Sequence, residues 1–580
     1  MPVSLRGVGA VGAVALVALA LTANLGFYTL PGMLAVLVAA ALVVGVCLTG
    51  ERLVNFAPKW AMVAMYGPAL ATVGYLVWLT VHETSALKVQ FEAPLAAVGA
   101  LVVLLAYLGK VRAKDALQGL LIGVGVLLTG ATVLVPQLRF GGGGGLATAL
   151  GMLACTILMY LVWLSFLASP RGTAGPDAAP VTLAPHAAPP GEGGQAAGPD
   201  AAPVRLAPHA APPGNSRGRG GGRGKCLARG WWVRWGMLLV AGTVIRGLAV
   251  VGSPEPVIDV HAWLTQAPQM LLRGANPYAG RYDSPYGTER AARAGIHDAP
   301  DPRPPAYPPL AILTGLPAVL LGVDVRWVNV AAEVLAAVLL LLAGMRRGNC
   351  ELGLLCSGLY LCLPRAAFVI EQAWFEPQLA ALLGLALVAA PRRAWLAGVA
   401  LGGFMAGKQY ALALLPSLVM ALRRDRKVLW IGLGTAAAAI LPFLLWSPAD
   451  FWQIVVTGHL HRPVVYHALT LAALLKNEMG VTVPAVALWG LAAVLLGLLA
   501  WRTPPHEERG AGLWLAAALL VFCLCHTQGF PNYYYLALFL LLMGVAQEGA
   551  KGEDRREATR PEAGTDAGGP RDGRDGEDRH

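Results

Sequence analysis

Apolar runs long enough to cross a bilayer recur along this 580-residue chain from Val8 to Ala546, and nothing else in it restricts the fold so strongly. A bilayer core takes a helix of about 17–25 residues. Within that core, backbone polar groups must be satisfied by the chain itself. The chain is 56% hydrophobic and 13% charged, well outside soluble usage. Neither an A-x-A-like cleavage pattern nor a polar mature region follows the first run, so it reads as a retained span. The expected fold class is all-α: a polytopic membrane protein built as a helical bundle.

The formal charge of +11 raises the question of nucleic acid, but the Lys and Arg residues sit in short clusters between apolar runs. That is the positive-inside pattern of a membrane protein, and it argues for a bilayer rather than a nucleic-acid partner. The 8 cysteines lie mostly in spans (Cys47, Cys155, Cys356, Cys362) or at cytoplasmic positions (Cys226, Cys350). Cys523 and Cys525 are too close for a disulfide framework or a zinc site.

Four segments follow from composition. Residues 1–168 give six candidate spans, near 8–26, 30–49, 60–81, 92–109, 116–135 and 146–167. Arg52 with Lys59, and Lys110 with Arg112 and Lys114, place alternate loops and both ends of this unit in the cytoplasm. Residues 169–230 turn Pro-, Ala- and Gly-rich, and segment 175–191 recurs almost unchanged at 198–214 before the basic run 217–225. This reads as a disordered cytoplasmic linker, with His186 and His209 as duplicated spacer. Residues 231–547 form a second membrane unit of about ten spans, and 548–580 a mixed-charge, disordered cytoplasmic tail.

In the second unit the first span leaves the basic linker, so the polar stretch 257–310 falls outside. The run 310–322, broken by Pro317, is expected to lie in the outer face rather than span it. A full span there would put Arg346-Arg347 on the wrong side. The outer loop then extends from 253 to about 327. This assignment also gathers Arg246, Glu371, Glu376, Lys408-Gln409-Tyr410, His459, His461, Arg462, His467, His526, Asn532 and Tyr533 to Tyr535 on the outer face. Ionisable groups near membrane depth mark function. Carboxylates suit a general base, and cations suit a phosphate leaving group. Together they suggest glycosyl transfer from a lipid-phosphate sugar.

The same residues carry a resemblance. The order Asp259, Gly274-Ala275-Asn276-Pro277-Tyr278, Tyr307-Pro308-Pro309-Leu310, Glu376-Pro377, Gly402 through Lys408, and Gln528-Gly529-Phe530-Pro531-Asn532-Tyr533-Tyr534 resembles the GT-C superfamily over residues 231–547. It is most similar to polyprenol-phosphate-mannose-dependent mannosyltransferases of the GT87 (DUF2029) type. The resemblance implies a GT-C-like bundle with a large first extracytoplasmic loop, a polyprenyl-phosphate sugar donor, and inverting transfer to a glycan, glycolipid or protein acceptor. Asp259 matches the first-loop catalytic acid and is the expected general base, and Glu376 sits where many relatives have a second Asp. Lys408 matches a lysine at an outward hairpin that could hold donor phosphate. His459, His461 and Arg462 match by position, and His261 and Tyr307 complete the expected substrate-binding set. The resemblance requires no cofactor, and it allows a divalent metal without implying one. Residues 30–130 also resemble, more loosely, one repeat of the EamA-like permeases.

Plainer roles stand beside these. Asp259 also suits a helix cap, Glu376-Pro377 a helix start, and Lys408 a side chain snorkelling to headgroups. Tyr533 to Tyr535 read first as an interfacial aromatic belt. His467 reads equally as a packed surface side chain, and Glu371 as an ion-pair partner of Arg365. The rival function is a transporter or flippase of lipid-linked sugar, and a third is a non-catalytic scaffold. The polar groups gather at one face rather than at midplane, which favours the enzyme.

Overall fold

The computed structural model describes residues 3–22, 27–49, 53–54, 116–134, 145–168, 229–293, 307–363, 365–460, 464–506 and 510–548. The expected spans 60–81 and 92–109, most of the linker, the tail beyond 548, and His461 and Arg462 lie outside these residues. The described chain is helical, apart from a two-residue antiparallel pairing of Val3–Ser4 with Leu53–Val54. Six of its helices are long and apolar enough to cross a membrane. The architecture is that of an α-helical membrane protein.

The first helices are α1 (Leu5–Thr22), α2 (Leu30–Thr49), α3 (Ala116–Leu134) and α4 (Gly145–Ala168). After the linker come α5 (Arg229–Gly252), the amphipathic α6 (Asp259–Leu272), α7 (Arg326–Arg346), α8 (Cys350–Leu361) and the short α9 (Ala366–Glu371). The rest are α10 (Glu376–Ala389), α11 (Ala394–Met405), α12 (Ala411–Ala421), α13 (Arg426–Trp446), α14 (Leu471–Met479), α15 (Ala485–Arg502), α16 (Gly512–Cys525) and α17 (Pro531–Ala546). Local chemistry sets several starts. Asn349 accepts from Leu352 N at 3.1 Å to cap α8, and α10 and α17 each begin with proline in the first turn. The run 310–322 is two short helices, Leu310–Leu313 and Leu316–Leu320, resting on α6.

Helix packing brings the two ends of the bundle into different chemistry. At one end Arg347 donates to the His506 carbonyl (2.9 Å), Arg423 to the Thr503 carbonyl (2.9 Å), and Arg6 pairs with Glu548 at 3.4 Å. Arg346, Arg392 and Arg393 are close enough there to repel one another. At the other end lie the α6 loop, the turn between α11 and α12, and the segments before α14 and α17. Leu310 N bonds the Ala406 carbonyl (3.1 Å), Val465 N the Thr527 carbonyl (2.9 Å) and Leu469 N the Gly529 carbonyl (3.1 Å).

The linker does not separate two bundles in space. Helix α1 packs on α17, α2 on α16, α3 on α8 and α4 on α5, and their buried side chains join one hydrophobic core. Arg365 fastens the junction, donating to the carbonyls of Leu21 (3.3 Å) and Thr22 (3.2 Å) at the end of α1. A cation satisfying the orphan carbonyls at a helix C-terminus is favoured by both hydrogen bonding and the helix dipole. Where helices approach most closely the residue is small: a Cβ on Gly402 would lie 2.5 Å from the Gly432 carbonyl oxygen, so α11 and α13 meet backbone to backbone.

Arg246 is sealed inside the bundle. Its guanidinium pairs with Glu333 of α7 and donates to the carbonyls of Gly242 (2.9 Å) and Leu361 (3.0 Å). Tyr535 of α17 donates to the other Glu333 oxygen at 2.7 Å. The physical reason is that α7 supplies a carboxylate facing α5, and a paired charge need not reach water.

Candidate functional site

Glu376, Lys408 and Tyr307, three of the residues singled out by sequence, come together at the end of the bundle opposite Arg346, Arg392 and Arg423. Glu376 opens α10 and is 0% exposed. Its Oε1 accepts from Lys408 Nζ at 2.5 Å, from Tyr410 Oη at 3.1 Å and from Asn532 Nδ2 at 2.7 Å. The helix-start role and the site role coincide, since the first turn of a helix favours an anion. Lys408 and Tyr410 sit in the turn between α11 and α12, and Asn532 opens α17.

The Lys408 ammonium is boxed by aromatic rings, 4.7 Å from the centre of Tyr307, 5.3 Å from Tyr410 and 4.7 Å from Tyr533. Each ring face attracts a cation, and more so away from water. Lys408 therefore does not snorkel; only 3% of it is exposed. Tyr307 is held from behind, its carbonyl accepting from Tyr278 Oη at 2.8 Å and its ring meeting Trp263 of α6 edge-on at 6.2 Å.

The tyrosine run in the first turns of α17 is not a membrane-surface belt. Tyr534 and Tyr535 are fully buried, Tyr534 donates to the Leu469 carbonyl, and Tyr533 faces Lys408. The helical turn separates what the sequence lists side by side. Gln409 donates to the Val455 carbonyl at 3.3 Å, which brings the segment carrying His459 alongside. His467 packs against Phe27 (5.6 Å) and Phe530 (6.2 Å), and its carbonyl accepts from Tyr28 N at 2.7 Å.

Asp259 and His261 belong to a neighbouring group. Asp259 stands in the first turn of α6, half-buried, with Oδ1 accepting from Val260 N at 2.8 Å. Asp259 N donates to Tyr286 Oη at 3.3 Å. His261 Nε2 lies 3.5 Å from Asp324 Oδ2. Asp324 in turn takes Arg326 Nε at 3.0 Å and Nη2 at 2.6 Å in a two-pronged pair. Burial alone would raise the Asp324 carboxyl, but the hydrogen bonds from His261 and Arg326 and the guanidinium charge hold it well below the usual carboxylate range. The Glu376 cluster and the α6 group touch through Trp263 and Tyr307; the hydrogen bonds of Glu376 come from α17 and the α11–α12 turn, not from α6.

Sequence reasoning ranked Asn532, Tyr410 and Tyr533 behind the histidines and passed over Asp324, Arg326 and Glu333. An Asp followed two residues later by an Arg at the start of a span was the one signal that could have flagged the α6 group. Among the described residues, no three His, Cys, Asp or Glu side chains converge to hold a metal ion, and the described cysteines form no disulfide. Comparison with known protein families, with curated proteins and with solved structures returned no match.

Proposed function

We propose that this chain is an integral membrane glycosyltransferase that moves a hexose, with mannose favoured, from a polyprenyl-phosphate donor to an extracytoplasmic acceptor of the cell envelope. The observation that carries the reading is the buried Glu376–Lys408–Asn532 cluster, walled by Tyr307 and Tyr533 and adjoining α6, at the end of an apolar bundle away from Arg346, Arg392 and Arg423. Arginine-rich ends favour the cytoplasm, which would put this cluster and Asp259 outside and the linker and both termini inside.

In the proposed reaction the acceptor hydroxyl oxygen attacks the anomeric carbon from the face opposite the phosphate. The carbon–oxygen bond to phosphate breaks, polyprenyl phosphate leaves, and Asp259 takes the hydroxyl proton. Configuration inverts. Lys408 is engaged by Glu376, so stabilisation of the leaving phosphate falls chiefly to His261 and to the segment with His459, His461 and Arg462. The test is transfer in membranes supplied with labelled polyprenyl-phosphate sugars. Asp259→Asn should lower turnover by about 10²–10⁴-fold, the usual worth of general-base catalysis. Undiminished turnover by a well-folded variant would refute the assignment.

A second reading, a transporter or flippase of lipid-linked sugar, is favoured by the Arg246–Glu333 pair inside the spans. Proteoliposomes that move labelled lipid-linked sugar across the bilayer without transferring it would support that reading over the first.

A further inference from the structure

The hydrogen bonds around Glu376 leave a one-sided remainder. Oε1 takes three donors, from Lys408, Tyr410 and Asn532, whereas Oε2 takes none from the described residues. The Asn532 amide is oriented by this contact, because turning it over would set its oxygen against the carboxylate. Its Oδ1 therefore points elsewhere, and it too is buried without a partner. A buried acceptor left unmatched is unfavourable.

Both spare groups accept and neither donates, so what meets them must donate. A phosphate is excluded at this spot. The charges of Glu376 and Lys408 cancel, so a cation would find no net charge to neutralise and would lie close to the Lys408 ammonium. A water molecule meets that need, and so does a neutral ligand with adjacent O–H donors. Tyr307 and Tyr533 are the half-buried members of the cluster, and their ring faces suit the C–H face of a pyranose.

We infer that Glu376 Oε2 and Asn532 Oδ1 form a hydroxyl-binding subsite for a sugar ring, with Tyr307 and Tyr533 as its apolar walls. The inference rests on the transferase reading only in taking the hydroxyls to be those of the transferred sugar. Since both oxygens are sealed from solvent, one of the two tyrosine rings turns aside as the sugar enters.

The experiment measures binding of methyl mannoside, methyl glucoside and inorganic phosphate to the full-length protein in nanodiscs, by saturation-transfer NMR. Wild type should bind a glycoside saturably, without competition from phosphate, and Asn532→Leu should weaken binding at least tenfold. Tyr533→Leu, which leaves the hydrogen bonds to Glu376 in place, should weaken it severalfold in a protein that melts as wild type does. The absence of saturable glycoside binding, or equal binding by both folded variants, overturns the subsite. Glycoside binding without any transfer would support the subsite while ending the transferase reading; transfer with wild-type KM in both variants would do the reverse.

Discussion

Lys408 Nζ lies 2.5 Å from Glu376 Oε1, with the two side chains 3% and 0% exposed, so opposite charges from two helix ends share one dry site. Neither is tolerable there alone, and the pair's energetics are open to measurement.

Glu376→Gln and Lys408→Met should each destabilise the protein by about 3–5 kcal/mol, because each leaves an uncompensated buried charge or a bare donor. The double variant should lose less than the sum of the two. Unfolding midpoints of the four proteins in one detergent measure the coupling, and simple additivity would show that the two groups do not sense each other.

Arg246 and Glu333 make the parallel case within the spans. Arg246→Met should be among the most damaging single changes in the bundle, whereas Tyr535→Phe, which removes one 2.7 Å hydrogen bond, should cost about 1–3 kcal/mol. Titration with a denaturing detergent ranks them; the reverse order would refute the pairing as the source of stability.

Acid should act in two steps. His506, at the arginine-rich end, is pushed down to about 4 by burial and by the Arg347 and Arg346 charges. A depressed histidine favours the folded state fully above its free value of about 6.5, and that contribution is lost as pH falls towards 4. Asp324 is likewise depressed, so its contribution is present above the usual carboxylate range and is lost on further acidification. Melting temperature between pH 7 and 4 should fall in wild type and flatten in His506→Gln. An unchanged slope in that variant would exclude His506 as its cause.

Gly402 and Gly434 test the packing of α11 against α13. A Cβ at Gly402 meets the Gly432 carbonyl oxygen at 2.5 Å, while one at Gly434 meets nothing within 4 Å. Gly402→Ala should therefore destabilise by about 1–3 kcal/mol, and Gly434→Ala should be neutral or stabilise by up to about 1 kcal/mol. Equal melting temperatures for the two variants would mean that the helices are not in close contact.

Much of the framework was legible because hydropathy and charge bias are local. The apolar run ending before Ser253 reads directly as α5, and Arg346, Arg392 and Arg423 mark one end of the bundle without any knowledge of packing. The proline after Glu376 announces a helix start that α10 makes. Glu376 and Lys408 were also legible as costly groups near membrane depth, though not as a pair.

The pairings were not legible, because a partner for a buried charge is chosen by which helices touch. Asp259 and Glu376, read as companions, take their hydrogen bonds from different neighbours, and Tyr307 with Trp263 is what joins their groups. Arg246 faces inward only because α7 brings Glu333 against α5. Tyr533 and Tyr534, adjacent in sequence, diverge because successive residues on a helix point about 100° apart, one to Lys408 and the other into the core. By itself the sequence determined that this chain is a bundle of apolar helices with one basic end, since those properties are carried by each segment alone. The tertiary structure decided that the helices before the linker share one core with those after it, and that Glu376, Lys408 and Asn532 meet, because burying a charge in a dry interior is tolerable only where packing supplies its partner.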